Sequence, residues 1–182
     1  MLALGMAAEA EALLRVAAEQ DPKEAASRDL AALRAAAALL AGRLREAAPL
    51  AEDRPDGTDE DALWRAALLA TRQEGSAFAA DLFAGSAPLL LAYPAALRER
   101  LLPLAVETLA LGGHAARAER LMADRKDDPA LALARAFAKR ARGDMAGALA
   151  AFEEAAWSRD RLVRARGAVG ETSAWISQSR GL

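Results

Sequence analysis

A glycine followed five residues later by an alanine occurs five times along this chain, at a nearly constant spacing. The pairs are Gly5/Ala10, Gly42/Ala47, Gly75/Ala80, Gly113/Ala118 and Gly143/Ala148, and a sixth glycine stands at Gly181. The mean step from Gly5 to Gly181 is about 35 residues, close to the 34-residue period of helix-turn-helix repeats that stack on one another. This register predicts an all-α protein built from repeated helix pairs.

The two residue types fit the geometry of a helix pair. A glycine that ends the first helix adopts the left-handed backbone conformation without a steric penalty, so the chain can reverse there. An alanine early on the second helix allows two antiparallel helices to approach closely. The pattern therefore indicates packing, and functional residues have to be sought elsewhere.

These spacings resemble the tetratricopeptide repeat (TPR) superfamily, and further residues fall in its register. They are Gly5, Ala10, Leu14, Ala17 and Pro22 in the first unit, Trp64 in the third, and Gly143, Ala148, Phe152 and Ala155 in the fifth. Ala84 and Met122 depart from the pattern, because the family places a bulky aromatic residue there. The resemblance implies a right-handed α-solenoid of antiparallel helix pairs, with about ten helices.

We expect one continuous domain over residues 1–182, with units at roughly 1–24, 25–58, 59–94, 95–128, 129–159 and 160–182. The predicted helices are Ala7 to Glu19, Arg28 to Ala41, Leu44 to Ala51, Asp61 to Gln73, Ala77 to Ala92, Pro94 to Leu111, Ala115 to Ala123, Pro129 to Ala141, Met145 to Ser158 and Asp160 to Gln178. Asp59 or Asp61 is expected to cap the fourth helix. A break is possible near Gly85 to Pro88, and Pro103 should kink its helix or mark its start.

The first and last units are incomplete, which favours an excised piece of a longer bacterial solenoid over a natural protein that begins at Met1. Arginine outnumbers lysine 21 to 3, a bias that we attribute to a high-GC bacterial genome. The absence of cysteine excludes disulfides and thiolate metal sites. It leaves both cytoplasm and periplasm open, with cytoplasm favoured.

The charge and hydropathy of the chain argue against two further classes, general nucleic-acid-binding proteins and membrane-spanning proteins. A net charge of −2 argues against general nucleic-acid binding, which needs a strongly basic face. No apolar run approaches the roughly 20 residues of a membrane-spanning helix. Residues Met1 to Leu14 do not read as a signal peptide, because they lack a basic start and contain two glutamates.

A search for catalytic or cofactor-binding patterns finds none. The single histidine, His114, lies in a predicted turn, and one histidine does not make a usual zinc site. Gly112-Gly113 and Gly167-x-x-Gly170 lack the lysine, the hydroxyl residue and the preceding strand of a phosphate loop. Adjacent acidic pairs such as Glu153-Glu154 point in different directions on a helix. We therefore expect no enzyme activity, no metal and no cofactor.

The resemblance implies that the first helix of each pair lines a concave groove that holds a partner segment. The groove-facing positions would include Ala32 and Ala36, and the residues expected to bind a partner are Arg65, Leu69, Arg72, Glu107, Phe137, Arg140 and Trp175. Arginine forks beside aromatic rings suit a segment with acidic and hydrophobic residues. Structural roles remain open: Trp175 as a seal at the end of the core, Phe137 as a core residue, and Trp157 packed on the following unit.

Three functions are compatible with these observations. The first is a protein-protein interaction scaffold that binds a partner or other copies of itself. The second is a helical accessory or regulatory domain of a larger enzyme or signalling protein. The third is a regulator that binds nucleic acid or a small effector in its concave face. Exposed unfinished repeats would also favour self-association through the ends.

Overall fold

The computed structural model of the chain describes residues 4, 6–21, 23, 27–52, 57–74, 76–157, 167, 168, 170 and 171. These residues are all-helical and contain no strand. The eight α-helices within them are α1 (Ala7–Gln20), α2 (Arg28–Leu40), α3 (Asp59–Arg72), α4 (Ser76–Ala92), α5 (Ala95–Leu111), α6 (Ala115–Met122), α7 (Ala132–Ala141) and α8 (Met145–Ala156). Two short 3₁₀-helices, Ala48–Ala51 and Pro129–Leu131, precede α3 and α7. The all-α prediction is confirmed.

The predicted α-helix from Leu44 to Ala51 is wrong. Turns follow α2 as far as Ala47, and a 3₁₀-helix with Pro49 in its first turn occupies the rest of the segment. Proline lacks the amide hydrogen that a helix interior needs, so the segment stays a short connector. The predicted helix from Asp160 to Gln178 lies mostly outside the described residues. The total of ten helices therefore stays a prediction.

Capping side chains fix where several helices begin. Thr58 caps α3 in a capping box. Its hydroxyl accepts a hydrogen bond from the Asp61 amide at 3.2 Å, and the Asp61 carboxylate accepts one from the Thr58 amide at 2.8 Å. Thr58, and neither of the expected aspartates, is thus the N-cap, although Asp61 completes the box. The side chains of Ser27 and Asp144 cap α2 and α8 by accepting hydrogen bonds from the Leu30 and Gly147 amides.

The glycine and alanine positions of the repeat have the expected local geometry where they are described. Gly42, Gly113 and Gly143 have φ angles of 78°, 97° and 82°, the left-handed region that glycine adopts without strain. After α3 the left-handed residue is Gln73, with φ of 58°. The five repeat alanines are all buried, Ala10 at 4% exposure and Ala47, Ala80, Ala118 and Ala148 at 0%. Their small size is therefore a packing requirement, as predicted.

The chain divides into two compact units. Unit 1 comprises Met1–Gly75 and Gly85–Leu102, and unit 2 comprises Ser76–Ala84 and Pro103–Leu182. The switch points fall at Gly85 within α4 and at Pro103 within α5. Both helices continue through their prolines, Pro88 and Pro103, so neither proline begins or ends a helix. The single continuous domain over residues 1–182 stays a prediction.

In unit 1, α1 packs on α2, and α2 packs on the first 3₁₀-helix and on α3. Leu63 and Leu68 of α3 are fully buried, and the Trp64 ring lies 6.3 Å from the Tyr93 ring, centroid to centroid. Arg72 donates from Nη2 to the Leu44 carbonyl at 2.9 Å. This bond ties the end of α3 to the turn that follows α2.

In unit 2, α7 and α8 are joined by a three-residue turn and pack along each other, and α6 packs on α7. The core cluster between α7 and α8 consists of Ala132, Leu133, Ala136, Ala148, Ala151, Phe152 and Ala155. A Cβ on Gly167 would lie 2.5 Å from the Ala156 amide nitrogen, and one on Gly170 would collide with the Phe152 ring. The Gly167-x-x-Gly170 motif is thus a close-packing surface against α8.

Trp157 follows α8 and is 83% exposed. The prediction that it packs on the following unit is therefore wrong. Phe152 and Ala155 are the last buried residues of α8, and Trp157 lies beyond them. Trp157 stands at the C-cap position, where the helix has already ended.

Candidate functional site

An open cavity of about 320 Å³ lies in unit 1 between α2, the first 3₁₀-helix and the start of α3. Its apolar wall includes Ala32, Leu33 and Ala36 from α2, Leu50 from the 3₁₀-helix and Trp64 from α3. Ala32 and Ala36 are one helical turn apart and therefore share a face of α2. They are also the two α2 positions that the repeat register predicts to face the groove.

The polar rim of this cavity is acidic. Asp29, Glu60 and Asp61 supply three carboxylates, and Arg28 supplies one guanidinium, which gives the rim a formal charge of −2. The start of α3 contributes two of the acids because Thr58 caps it beside the cavity. Such a rim attracts a cationic group, and the apolar wall below it suits an aliphatic or aromatic side chain.

Glu60 is held in place by Tyr93. The Tyr93 hydroxyl donates to Glu60 Oε1 at 2.7 Å, and the Tyr93 ring lies beside Trp64. Burial, the hydrogen bond to Glu60 and repulsion by its negative charge all raise the pKa of the Tyr93 hydroxyl above its ordinary value. The rim carboxylate is therefore fixed by a phenol that keeps its proton.

Only some of the residues that line this cavity could be predicted from the sequence. Ala32 and Ala36 follow from the repeat register, and Trp64 is itself a mark of the repeat. Asp29 and Glu60 were not predicted as site residues. The signal for Glu60 is the run of three acids from Asp59 to Asp61, of which Asp59 or Asp61 was expected to cap the helix. No local pattern marks Asp29.

Three predicted groove residues, Arg65, Leu69 and Arg72, lie on α3 at spacings of four and three residues, which places them on one helix face. All three side chains are half-buried. One guanidinium nitrogen of Arg72 donates a hydrogen bond to the Leu44 carbonyl, so part of the hydrogen-bonding capacity of Arg72 is used within unit 1. Their role in binding a partner stays a prediction.

Phe137 and Arg140 of α7 lie together, as their spacing predicts. The Arg140 guanidinium carbon is 5.0 Å from the Phe137 ring centroid and 5.8 Å from that of Phe152. The two rings meet edge to face at 5.2 Å and 81°. Phe137 is half-buried and packs against the α7–α8 core, so it serves the core and also supports a cation on its exposed side.

The two remaining predicted groove residues are Glu107 and Trp175. Glu107 is a half-buried residue of α5, in the part that belongs to unit 2. Trp175 lies outside the described residues. The structure thus brings together Phe137 with Arg140, and places Arg65, Leu69 and Arg72 on a common helix.

His114 is half-buried at the start of α6, where its Nε2 lies 2.7 Å from Asp81 Oδ1. The two residues are 33 positions apart, and this contact was not predicted. Across the residues with described positions, no group of three or more histidine, cysteine, aspartate or glutamate side chains is arranged to hold a metal ion. No helix in the described ranges has the length and apolar character needed to cross a membrane.

Comparison with known proteins identifies no match. The chain matches no protein-family model, no curated protein and no solved structure.

Proposed function

We propose that this chain is a TPR-like interaction scaffold that binds a segment of a partner protein along the concave face of a right-handed α-solenoid, and that its role is not catalytic. The observation that carries the proposal is the unit 1 cavity, whose wall contains the predicted groove positions Ala32 and Ala36. The buried repeat alanines and the left-handed turn glycines support the underlying repeat.

The cavity would take an apolar anchor side chain of the partner. A basic residue next to that anchor would be favoured in unit 1, because Asp29, Glu60 and Asp61 outweigh Arg28 at the rim. The acidic and hydrophobic segment expected from the sequence suits unit 2 better, where Arg140 lies over the Phe137 ring. Unit 1 therefore suits an apolar anchor next to a basic residue, and unit 2 suits an apolar anchor next to an acidic residue.

The test is a peptide selection followed by a cavity-filling substitution. Peptides selected from a random library against the whole chain should be enriched in a large apolar residue beside a basic one. Ala32→Trp, which fills the cavity, should weaken the selected peptides about tenfold or more, since every tenfold corresponds to about 1.4 kcal/mol. Ala12→Trp is the matched control, because Ala12 is an exposed residue of α1 in the same unit.

If both tryptophan variants keep the circular dichroism of the parent chain and bind the selected peptides with equal affinity, the cavity is not part of the binding surface. Arg140→Glu compared with Arg34→Glu tests the second predicted contact in the same way, since Arg34 is exposed on α2. The same selection performed with acidic peptides distinguishes a unit 2 contact from a unit 1 contact.

Self-association is the second part of this proposal. Leu13 and Val16 on α1 are exposed, while Ala10 of the same helix is buried. An apolar helix face left in water is stabilised by contact with another apolar surface. We therefore propose a second copy of the chain as an additional partner.

A further inference from the structure

A second cavity, of about 260 Å³, lies in unit 2 between α6 and α7. Met122, Ala123 and Ala138 provide its apolar surface. Lys126 and Lys139 provide two ammonium groups, one from the turn after α6 and one from α7. The volume is slightly below the roughly 300–1,000 Å³ of pockets for drug-sized ligands, so the cavity suits a small molecule.

The other charges on the wall of this cavity are already paired. Glu119 accepts a hydrogen bond from Arg142 Nη1. Arg135 donates to Glu154 Oε1 and to the Asp128 carbonyl, both at 2.9 Å. Within the described part of the chain, neither lysine forms an ion pair. The cavity thus presents two positive charges that these pairs do not compensate.

The placement of these lysines is unusual for this sequence. The chain has three lysines against 21 arginines, and two of the three line this one cavity. Lysine is a compact point charge on a flexible stem, whereas arginine is a planar fork. Lys126 and Lys139 thus line one cavity, and Lys23 is the single lysine elsewhere in the sequence.

We propose that this cavity binds a small organic carboxylate with an apolar body. The carboxylate would lie between Lys126 and Lys139, and the apolar body would rest on Met122 and Ala138. Arg135 is held by Glu154 Oε1 and the Asp128 carbonyl, which leaves the two ammonium groups to meet an anion, and the apolar surface beside them suits an anion that carries an apolar body. This site is separate from the proposed partner groove of unit 1.

The three lysines allow a direct test. Reductive methylation with ¹³C-formaldehyde keeps the lysine charge and gives one NMR signal for each lysine, assigned by the single Lys→Arg variants. Phenylacetate is the probe, and phenylacetamide is its neutral analogue. We expect saturable shifts of the Lys126 and Lys139 signals with phenylacetate, an unmoved Lys23 signal, and no comparable response to phenylacetamide.

Unmodified variants provide the second measurement. By calorimetry, Lys126→Gln/Lys139→Gln should weaken phenylacetate binding at least about tenfold, whereas Lys23→Gln should bind as the parent chain does. Parallel shifts of all three lysines, an equal response to phenylacetamide, or no saturation would each overturn the proposal. Circular dichroism of the double variant checks its fold. Peptide binding in unit 1 is measured independently, so its failure and the failure of this site are distinguishable.

Discussion

At the scale of single residues, Tyr93 couples the packing of unit 1 to pH. It is the one tyrosine of the chain, and burial, together with Glu60, raises the pKa of its hydroxyl above the ordinary value near 10. The unfolded chain therefore loses this proton at a lower pH than the folded chain does. It follows that Tyr93 makes folding less favourable as pH rises above about 10.

The prediction is that tyrosinate absorbance does not develop near pH 10 while the protein is folded. The same titration in concentrated guanidinium chloride should give a midpoint near pH 10, the ordinary value for a tyrosine in water. In Tyr93→Phe, the part of the stability loss above pH 10 that comes from this phenol should disappear. A tyrosinate midpoint near 10 with an intact helical dichroism signal would contradict the prediction.

Residues that contact each other across long sequence separations are the ones that sequence analysis missed. Phe137 and Arg140 were both predicted to face the groove from the repeat register, and their three-residue spacing places them side by side on one helix. His114 and Asp81 are 33 residues apart, and Glu60 and Tyr93 are likewise 33 apart. Their pairing depends on how successive helices pack, which a single-helix pattern does not specify.

At the scale of helices, the Gly167-x-x-Gly170 motif brings its backbone against α8. A Cβ on Gly167 would lie 2.5 Å from the Ala156 nitrogen and 2.7 Å from the Ala155 carbonyl carbon, and backbone atoms cannot rotate away. Gly167→Ala should therefore destabilise the protein by about 1–3 kcal/mol, the usual cost of overpacking. Urea unfolding followed by circular dichroism measures the change.

Gly85→Ala is the matched control within α4. No neighbouring atom lies within 4 Å of a Cβ at Gly85, and glycine inside a helix is about 0.5–1 kcal/mol less favourable than alanine. This substitution should therefore stabilise the protein. Equal stability of the two variants would show that Gly167 is not closely packed in solution.

Local sequence signals predicted most helices but failed where tertiary packing or proline chemistry decided the outcome. Helices α2 and α6 begin at the predicted residues, and each ends one residue before its predicted end. Helix α4 continues through the predicted break, because Ala84, Ala87 and Leu90 on either side of Pro88 are buried. A proline inside a helix costs about 3 kcal/mol relative to alanine, and the burial of these side chains offsets that cost.

At the scale of the whole molecule, part of the apolar wall of the unit 1 cavity could be predicted from the sequence, whereas the charge at its rim could not. The repeat register specifies which helix positions share a face, and hence Ala32 and Ala36. It does not specify that Asp29 and Glu60, on separate helices, meet at one rim. The shared helix face was therefore more predictable than the charge at the cavity, since that charge arises from contacts between helices.

The last prediction concerns association between copies of the chain. Leu13 and Val16 are 54% and 44% exposed and lie three residues apart on α1, so they form a contiguous apolar patch. We expect the sedimentation coefficient of the 19.1 kDa chain to rise with concentration. Leu13→Glu/Val16→Glu should abolish this rise, because a charged patch is better solvated by water than by a second apolar surface.

Leu111→Glu controls for the general effect of adding negative charge. Leu111 is also exposed, but it belongs to α5 and is remote in sequence from the α1 patch. Persistence of the concentration dependence in this variant, with its loss in the α1 variant, would locate the contact on α1. A monomer at all concentrations, or equal effects of the two changes, would exclude α1 as the contact surface and leave peptide binding in unit 1 as the interaction to be tested.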